Sequence, residues 1–289
     1  MEGDTRLRRL SLVLRSPLWP AICVTLGLLL AYPALRGLVL RVEVTPGASG
    51  YRIALRSGCF NCHGPNGTGG VKNPGSTDGE VPGFSGGTQM MWVKSAQELR
   101  EYILDGAPAR KRADPKYRQQ MVSQLLAMPA FRGFLSDRDV DDLLVYLRAV
   151  SGLITPADDL AASGQETAYR LGCFNCHGPM GAGVSANPGS LKGYIPGWWS
   201  NDFGELVQND EELRQWIADG GISRLRDNSL AAYFINRQRV SMPAYRNFID
   251  DTELNALMRY VRWVNAGGWQ KQPWDASSRE TPSLLRTIE

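Results

Sequence analysis

The chain has 289 residues, 43% of them hydrophobic, enough to bury the cores of two ordinary domains. A formal charge of +3 without any long run of lysine and arginine excludes a nucleic-acid-binding class. With 31 glycines and 17 prolines, much of the chain is expected to be loop.

The first predicted element is a membrane anchor. Residues 18–35 carry no charge, which meets the lower length limit for a transmembrane helix at about 1.5 Å rise per residue. Arg6, Arg8, Arg9 and Arg15 precede the stretch. By the positive-inside rule they leave the N-terminus in the cytoplasm and place everything after about Arg41 outside. A cleaved signal peptide is the competing reading, but the stretch is longer than a usual signal core and no small-x-small site follows it. Cys23, inside it, reads as a buried thiol. Residues 1–45 are therefore taken as a cytoplasmic N-terminus and a single-pass anchor in the inner membrane.

Shifted by 114 residues, the rest of the chain lies on itself without a gap. Cys59-Phe60-Asn61-Cys62-His63 becomes Cys173-Phe174-Asn175-Cys176-His177, and Asn73-Pro74-Gly75-Ser76 becomes Asn187-Pro188-Gly189-Ser190. Asp105-Gly106 maps onto Asp219-Gly220, Met128-Pro129 onto Met242-Pro243, and Tyr146 onto Tyr260. Two tandem domains of one fold follow, over 46–150 and 165–268. A linker at 151–164 joins them, and a tail at 269–289 has no counterpart in the first copy.

Each copy reads as all-α. A short helix, around 51–56 or 167–171, runs into the cysteine pair. The next opens on a capping signal at Ser95 or Asn209 and stops at Gly106 or Gly220. A third precedes the Met-Pro step. The last opens at Ser136 or Asp250 and carries a stripe of apolar residues at helical spacing: Val140, Leu143, Leu144 and Leu147, or Leu254, Leu257, Met258 and Val261. No stretch alternates with period two, so a sheet is not expected. Residues 64–87 and 178–204 are left as long ordered loops, unusual unless something large lies beside them.

The cysteine and histidine arithmetic carries the chemistry. Four of the five cysteines form two Cys-x-x-Cys pairs, and the chain's two histidines each follow one. Cys-x-x-Cys-His is the attachment signature of c-type haem: Cys59 and Cys62, or Cys173 and Cys176, form thioethers, and His63 or His177 ligates the iron. A thioredoxin-like pair needs no following histidine. A four-cysteine zinc site usually spaces its pairs about 15–20 residues apart, whereas 110 residues separate Cys62 from Cys173. With both histidines consumed, methionine is the other common sixth ligand, and its thioether raises the potential. Of eight methionines only Met128 and Met242 exchange under the shift, each held before a proline.

Each half resembles the class I cytochrome c fold, and the whole is similar to a membrane-anchored dihaem cytochrome c, over about 50–150 and 164–265. The resemblance implies a haem between the helix entering Cys-x-x-Cys-His and a C-terminal helix that crosses it, with an aromatic at the crossing: Tyr146 and Tyr260. It also implies a proline carbonyl accepting the histidine's free N–H, for which Pro74 and Pro188 are best placed. Haem domains on the periplasmic side follow from the same resemblance.

Two haems with both axial positions filled transfer single electrons and bind no small-molecule substrate. The expected role is a relay between redox protein partners, as a carrier or as a subunit of a respiratory or photosynthetic complex, and not an enzyme. The alternative is a dihaem enzyme such as a peroxidase. The cluster Arg110, Lys111, Arg112, with Lys116 and Arg118, could steer an acidic partner. Trp269 and Trp274 in the tail are read as either docking residues or packing onto the second domain.

Overall fold

The computed structural model describes residues 18–39, 43–85, 93–152, 154–183 and 185–271. The chain divides into two compact units at Val42. The first holds one helix, α1 (Leu18–Val39), with Leu18, Ile22, Leu26, Leu29, Leu30 and Cys23 exposed on it. Cys23 is thus not buried within the chain. Among the described residues, no helix is long and apolar enough to cross a membrane.

The second unit contains both repeats. The first repeat opens with α2 (Pro46–Arg56), a turn longer than expected. Thr45 caps it by accepting from the Ala48 N–H, and Pro46 takes the first helical position, where its missing N–H costs nothing. Then come α3 (Cys59–His63), α4 (Ala96–Asp105), the short α5 (Ala109–Ala113), α6 (Pro115–Ser123) and α7 (Asp137–Val150). The second repeat follows the same order with α8 (Asp159–Arg170), α9 (Cys173–His177), α10 (Asp202–Leu206), α11 (Asp210–Asp219), α12 (Ser223–Arg226), α13 (Ser229–Arg237) and α14 (Asp251–Asn265). The predicted linker over 151–164 is too long. Asp158 accepts from the Ala161 N–H and starts α8 six residues before that boundary.

Helices α4 and α11 begin at Ser95 and Asn209, whose side chains accept from the Glu98 and Glu212 N–H groups. Both end at a left-handed glycine, Gly106 (φ 77°) and Gly220 (φ 68°). The C-terminal helices α7 and α14 start at full capping boxes, Ser136 with Asp139 and Asp250 with Glu253. The one departure from an all-helical reading is small. A two-residue antiparallel pair, β1 (Ser185–Ala186) with β2 (Tyr194–Ile195), pins the second long loop, and a single bridge between Lys72 and Glu80 does so in the first.

In each repeat the entry helix crosses the C-terminal helix at a glycine. A Cβ on Gly50 would lie 2.1 Å from the Asp142 carbonyl oxygen, and one on Gly164 would lie 1.9 Å from that of Ala256. The crossing is close enough that only glycine fits. Tyr146 and Tyr260, 1% and 0% exposed, pack at these crossings.

The repeats also touch each other. The Thr45 hydroxyl donates to the Ala182 carbonyl at 2.6 Å, and the Asn201 N–H donates to the Glu43 carboxylate at 2.9 Å. Val145 and Ala149 of α7 are buried in the core of the second repeat. Trp269 belongs to that core as well. It is 5% exposed and stacks on Trp199 with ring centroids 4.0 Å apart, so the ordered domain extends past the predicted start of the tail. Trp274 lies outside the described residues.

Candidate functional site

Each Cys-x-x-Cys-His segment is a single helical turn entered through a left-handed glycine, Gly58 (φ 74°) or Gly172 (φ 70°). The chain then folds back sharply, with the Gly69 N–H donating to the His63 carbonyl at 2.7 Å and the Gly183 N–H to that of His177 at 2.6 Å. This turn closes the loop over the histidine ring.

His63 Nδ1 sits 2.7 Å from the Pro82 carbonyl oxygen, and His177 Nδ1 sits 3.1 Å from that of Pro196. The prolines expected for this contact were Pro74 and Pro188, and the structure corrects both. Their carbonyls accept instead from the Leu125 and Arg239 N–H groups, at 2.9 and 3.0 Å. Burial holds both imidazoles below the ordinary histidine range, with the proline carbonyls acting the other way. A neutral ring whose Nδ1–H is donated to a carbonyl presents a free lone pair at Nε2, the form that ligates a metal.

The thiols point the same way. Burial, foremost, raises the Cys59 thiol and pushes Cys173 up to about 11. A dithiol redox catalyst needs the opposite shift to supply thiolate at neutral pH.

Beside each segment lies a cavity, about 450 Å³ in the first repeat and about 420 Å³ in the second. Cys59, Cys62, His63 and Met128 line the first, together with Leu99, Leu143 and Leu147. Cys173, Cys176, His177 and Met242 line the second, with Leu213, Leu257 and Val261. Both volumes fall in the usual cofactor-site range of roughly 300–1,000 Å³. Each cavity offers two thiols and one imidazole; the second adds the thioether of Met242 alone, whereas the first is lined by both Met128 and Met121, the latter's sulfur accepting from the Gln124 side-chain amide at 3.1 Å.

The methionine loops are held from three sides. The helix-ending glycines leave room for them: a Cβ on Gly106 would lie 2.6 Å from the Met128 carbonyl oxygen, and one on Gly220 would lie 2.4 Å from that of Met242. Beyond the prolines, the Phe131 and Tyr245 N–H groups donate to the Ile103 and Ile217 carbonyls at 3.0 and 3.1 Å. Ahead of the methionines, Asn73 grips Leu126 with both ends of its amide, accepting from the N–H at 2.7 Å and donating to the carbonyl at 2.9 Å. Asn187 holds Val240 in the same way, at 2.9 Å for both bonds. These asparagines, each 4% exposed, were not singled out from the sequence, although the repeated Asn-Pro-Gly-Ser carried the signal.

Tyr146 and Tyr260 do not line the cavities. They stand one layer behind, edge-on to Phe84 and Trp198, with centroids 6.2 and 6.0 Å apart. Phe84 and Trp198 are the aromatics beside the histidine rings, at 5.2 and 5.1 Å. The basic cluster is also less free than its charge implied. Arg110 pairs with Glu98 at 3.0 Å, Arg112 with Asp105 at 3.4 Å, and Arg118 donates to the Arg112 and Ala113 carbonyls.

A family model of cytochrome c matches residues 47–151 and again 161–265. The chain belongs to the cytochrome c family. It carries two covalently bound haem c groups, one per domain, and this cytochrome is built for haem-based electron transfer. It is 25% identical over 218 residues to the FixP subunit of the cbb3-type cytochrome c oxidase of Azorhizobium caulinodans, covering 75% of this chain and 59% of that one. It is 26% identical over 133 residues to cytochrome c4 of Stutzerimonas stutzeri, covering 43% of this chain and 55% of the relative. The cytochrome thus spans somewhat more than half the length of these relatives. No solved structure matches it.

Proposed function

We propose that this cytochrome relays single electrons through two haems of identical ligation, His63 with Met128 and His177 with Met242, with Cys59, Cys62, Cys173 and Cys176 as the thioether attachments. The observation that carries the reading is the twofold occurrence of a histidine and a methionine lining one cavity with a thiol pair. The haem supplies one-electron chemistry at iron when bound. The protein supplies a neutral imidazole aimed by Pro82 or Pro196, a thioether on a clamped loop, and apolar walls that keep water out. Filled axial positions leave no site for peroxide, so the matched methionines weigh against a dihaem peroxidase.

The likeness to FixP supports a place among the subunits of a membrane-bound oxidase complex, with redox proteins on either side of the relay. We further propose that α1 is the single-pass membrane anchor, with the haem domains on the periplasmic side. The uncharged run at 18–35 and the apolar side chains exposed from Leu18 to Leu30 support this.

The test is spectroscopic. The ferric protein should show the weak near-red sulfur-to-iron band. Met128→Ala should remove one haem's share of it and Met242→Ala the other's, while mass spectrometry still finds two covalent haems. Retention of the full band in both variants would falsify the assignment.

A further inference from the structure

We propose that Met180 and Trp199 are positioning residues that lock the two haem domains into one body and form the contact through which electrons cross between them. The proposal rests on the relay reading above and adds to it where, and by which residues, the two domains are coupled.

The repeat supplies its own control. Met180, Ala182 and Trp199 correspond to Asn66, Thr68 and Ser85 under the shift of 114. The second-domain residues are apolar and the first-domain residues polar, with Asn66 and Thr68 exposed. The face they meet differs from its own counterpart in charge at one position and in size at two. Val145 and Ala149 on α7 correspond to Arg259 and Trp263, and Gly47 to Ala161. The two copies that touch are the apolar one of the first face and, on α7, the one with Val145 in place of Arg259 and with the smaller Ala149 and Gly47 in place of Trp263 and Ala161.

The backbone records the same choice. Asn66 and Met180 are the two non-glycine residues among those described with positive φ, 52° and 51°. Asparagine adopts that region far more readily than methionine. Met180 holds it while 1% exposed, inside the cluster that contains Val145 and Ala149. Its carbonyl accepts from the Trp199 indole N–H at 2.8 Å, and a Cβ on Gly47 would lie 3.0 Å from the Trp199 ring.

Each side of this contact is tied to a cavity through its own element. Met180 lies three residues after His177 in the chain. Helix α7 turns Val145 and Ala149 towards Met180 and, on its opposite side, Leu143 and Leu147 towards the first cavity. Crossing this contact moves one electron, oxidising one iron and reducing the other, with no bond made or broken.

The test uses the full-length holoprotein with Met180→Asn, Trp199→Ser and the pair together, all side chains the same fold already carries at Asn66 and Ser85. Val145→Arg, copying Arg259, attacks the contact from the other domain. Two rates are read: intramolecular electron equilibration after photoreduction, and proteolytic cutting at the 151–158 joint. Losing a buried side chain of this size should slow equilibration and speed cutting by about tenfold or more, with both near-red bands retained and with Trp199→Phe staying close to the parent in both rates. Equilibration within about twofold of the parent, or unchanged cutting, overturns the proposal. Absence of an intramolecular phase in the parent chain would instead overturn the relay reading.

Discussion

Asn73 and Asn187 show how much of each site rests on one amide. Each satisfies both backbone groups of a residue two positions before the methionine proposed as ligand, from a buried position. Asn73→Ala leaves a buried N–H and carbonyl unpaired, a loss of about 1–3 kcal/mol. The expected outcome is a lower unfolding midpoint together with faster carbon monoxide binding to the ferrous first haem, measured by flash photolysis, because the loop releases Met128 more often. Met128 and Met242 stood out in the sequence because a gapless repeat eliminates the other six methionines by subtraction. The proline that receives the histidine N–H was not. Pro74 and Pro82 both recur at the same shift, and only the fold-back of the 64–85 loop decides which carbonyl reaches the ring.

At the scale of elements, the fold turns on the two helix crossings. Gly50→Ala and Gly164→Ala each drive a methyl group into a backbone carbonyl, where neither helix can yield without moving the C-terminal helix. Each should cost at least the 1–3 kcal/mol typical of overpacking, roughly, and lower the melting temperature of its own domain. The first capping box gives α7 an acid sensitivity. Hydrogen bonds from the Ser136 side chain and backbone, with Arg56 nearby, hold the Asp139 carboxyl below its ordinary range. A depressed folded-state value means stability present above the unfolded value of about 4 and lost as pH falls through the lower one. In Asp139→Asn the acid unfolding transition of the first domain should flatten, as followed by far-ultraviolet dichroism. These caps were readable because Ser-x-x-Asp and Asp-x-x-Glu sit directly ahead of apolar stripes. The Asp158 cap was missed because the small polar residues after it look like linker, and the burial of Ala161 and Ala168 that makes them helix is a tertiary fact.

For the whole molecule, the sequence displayed two domains plainly and their mutual packing hardly at all. Identity under the shift reveals what the copies share, whereas the contact between them is made by residues in which they differ. The proposed anchor makes a prediction for the whole chain. The full chain should sediment with membranes and resist alkaline carbonate, and appearance in the soluble fraction would remove α1 from that role. On the haem side, Arg259 pairs with Asp158 at 2.9 Å across the second domain's counterpart of the docking face.

That pairing bears on whether the inner contact can be repeated at the outer faces. Two identical copies stacked head to tail would keep an adhesive face at each end and grow into a filament. Here the outer face at one end presents Asn66 and Thr68, and at the other Arg259 stands where Val145 makes the inner contact. Neither outer face therefore repeats the pair of surfaces that makes the inner contact. Restoring both ends at once, with Asn66→Met, Thr68→Ala, Ser85→Trp and Arg259→Val, should return chains that lengthen with concentration in light scattering.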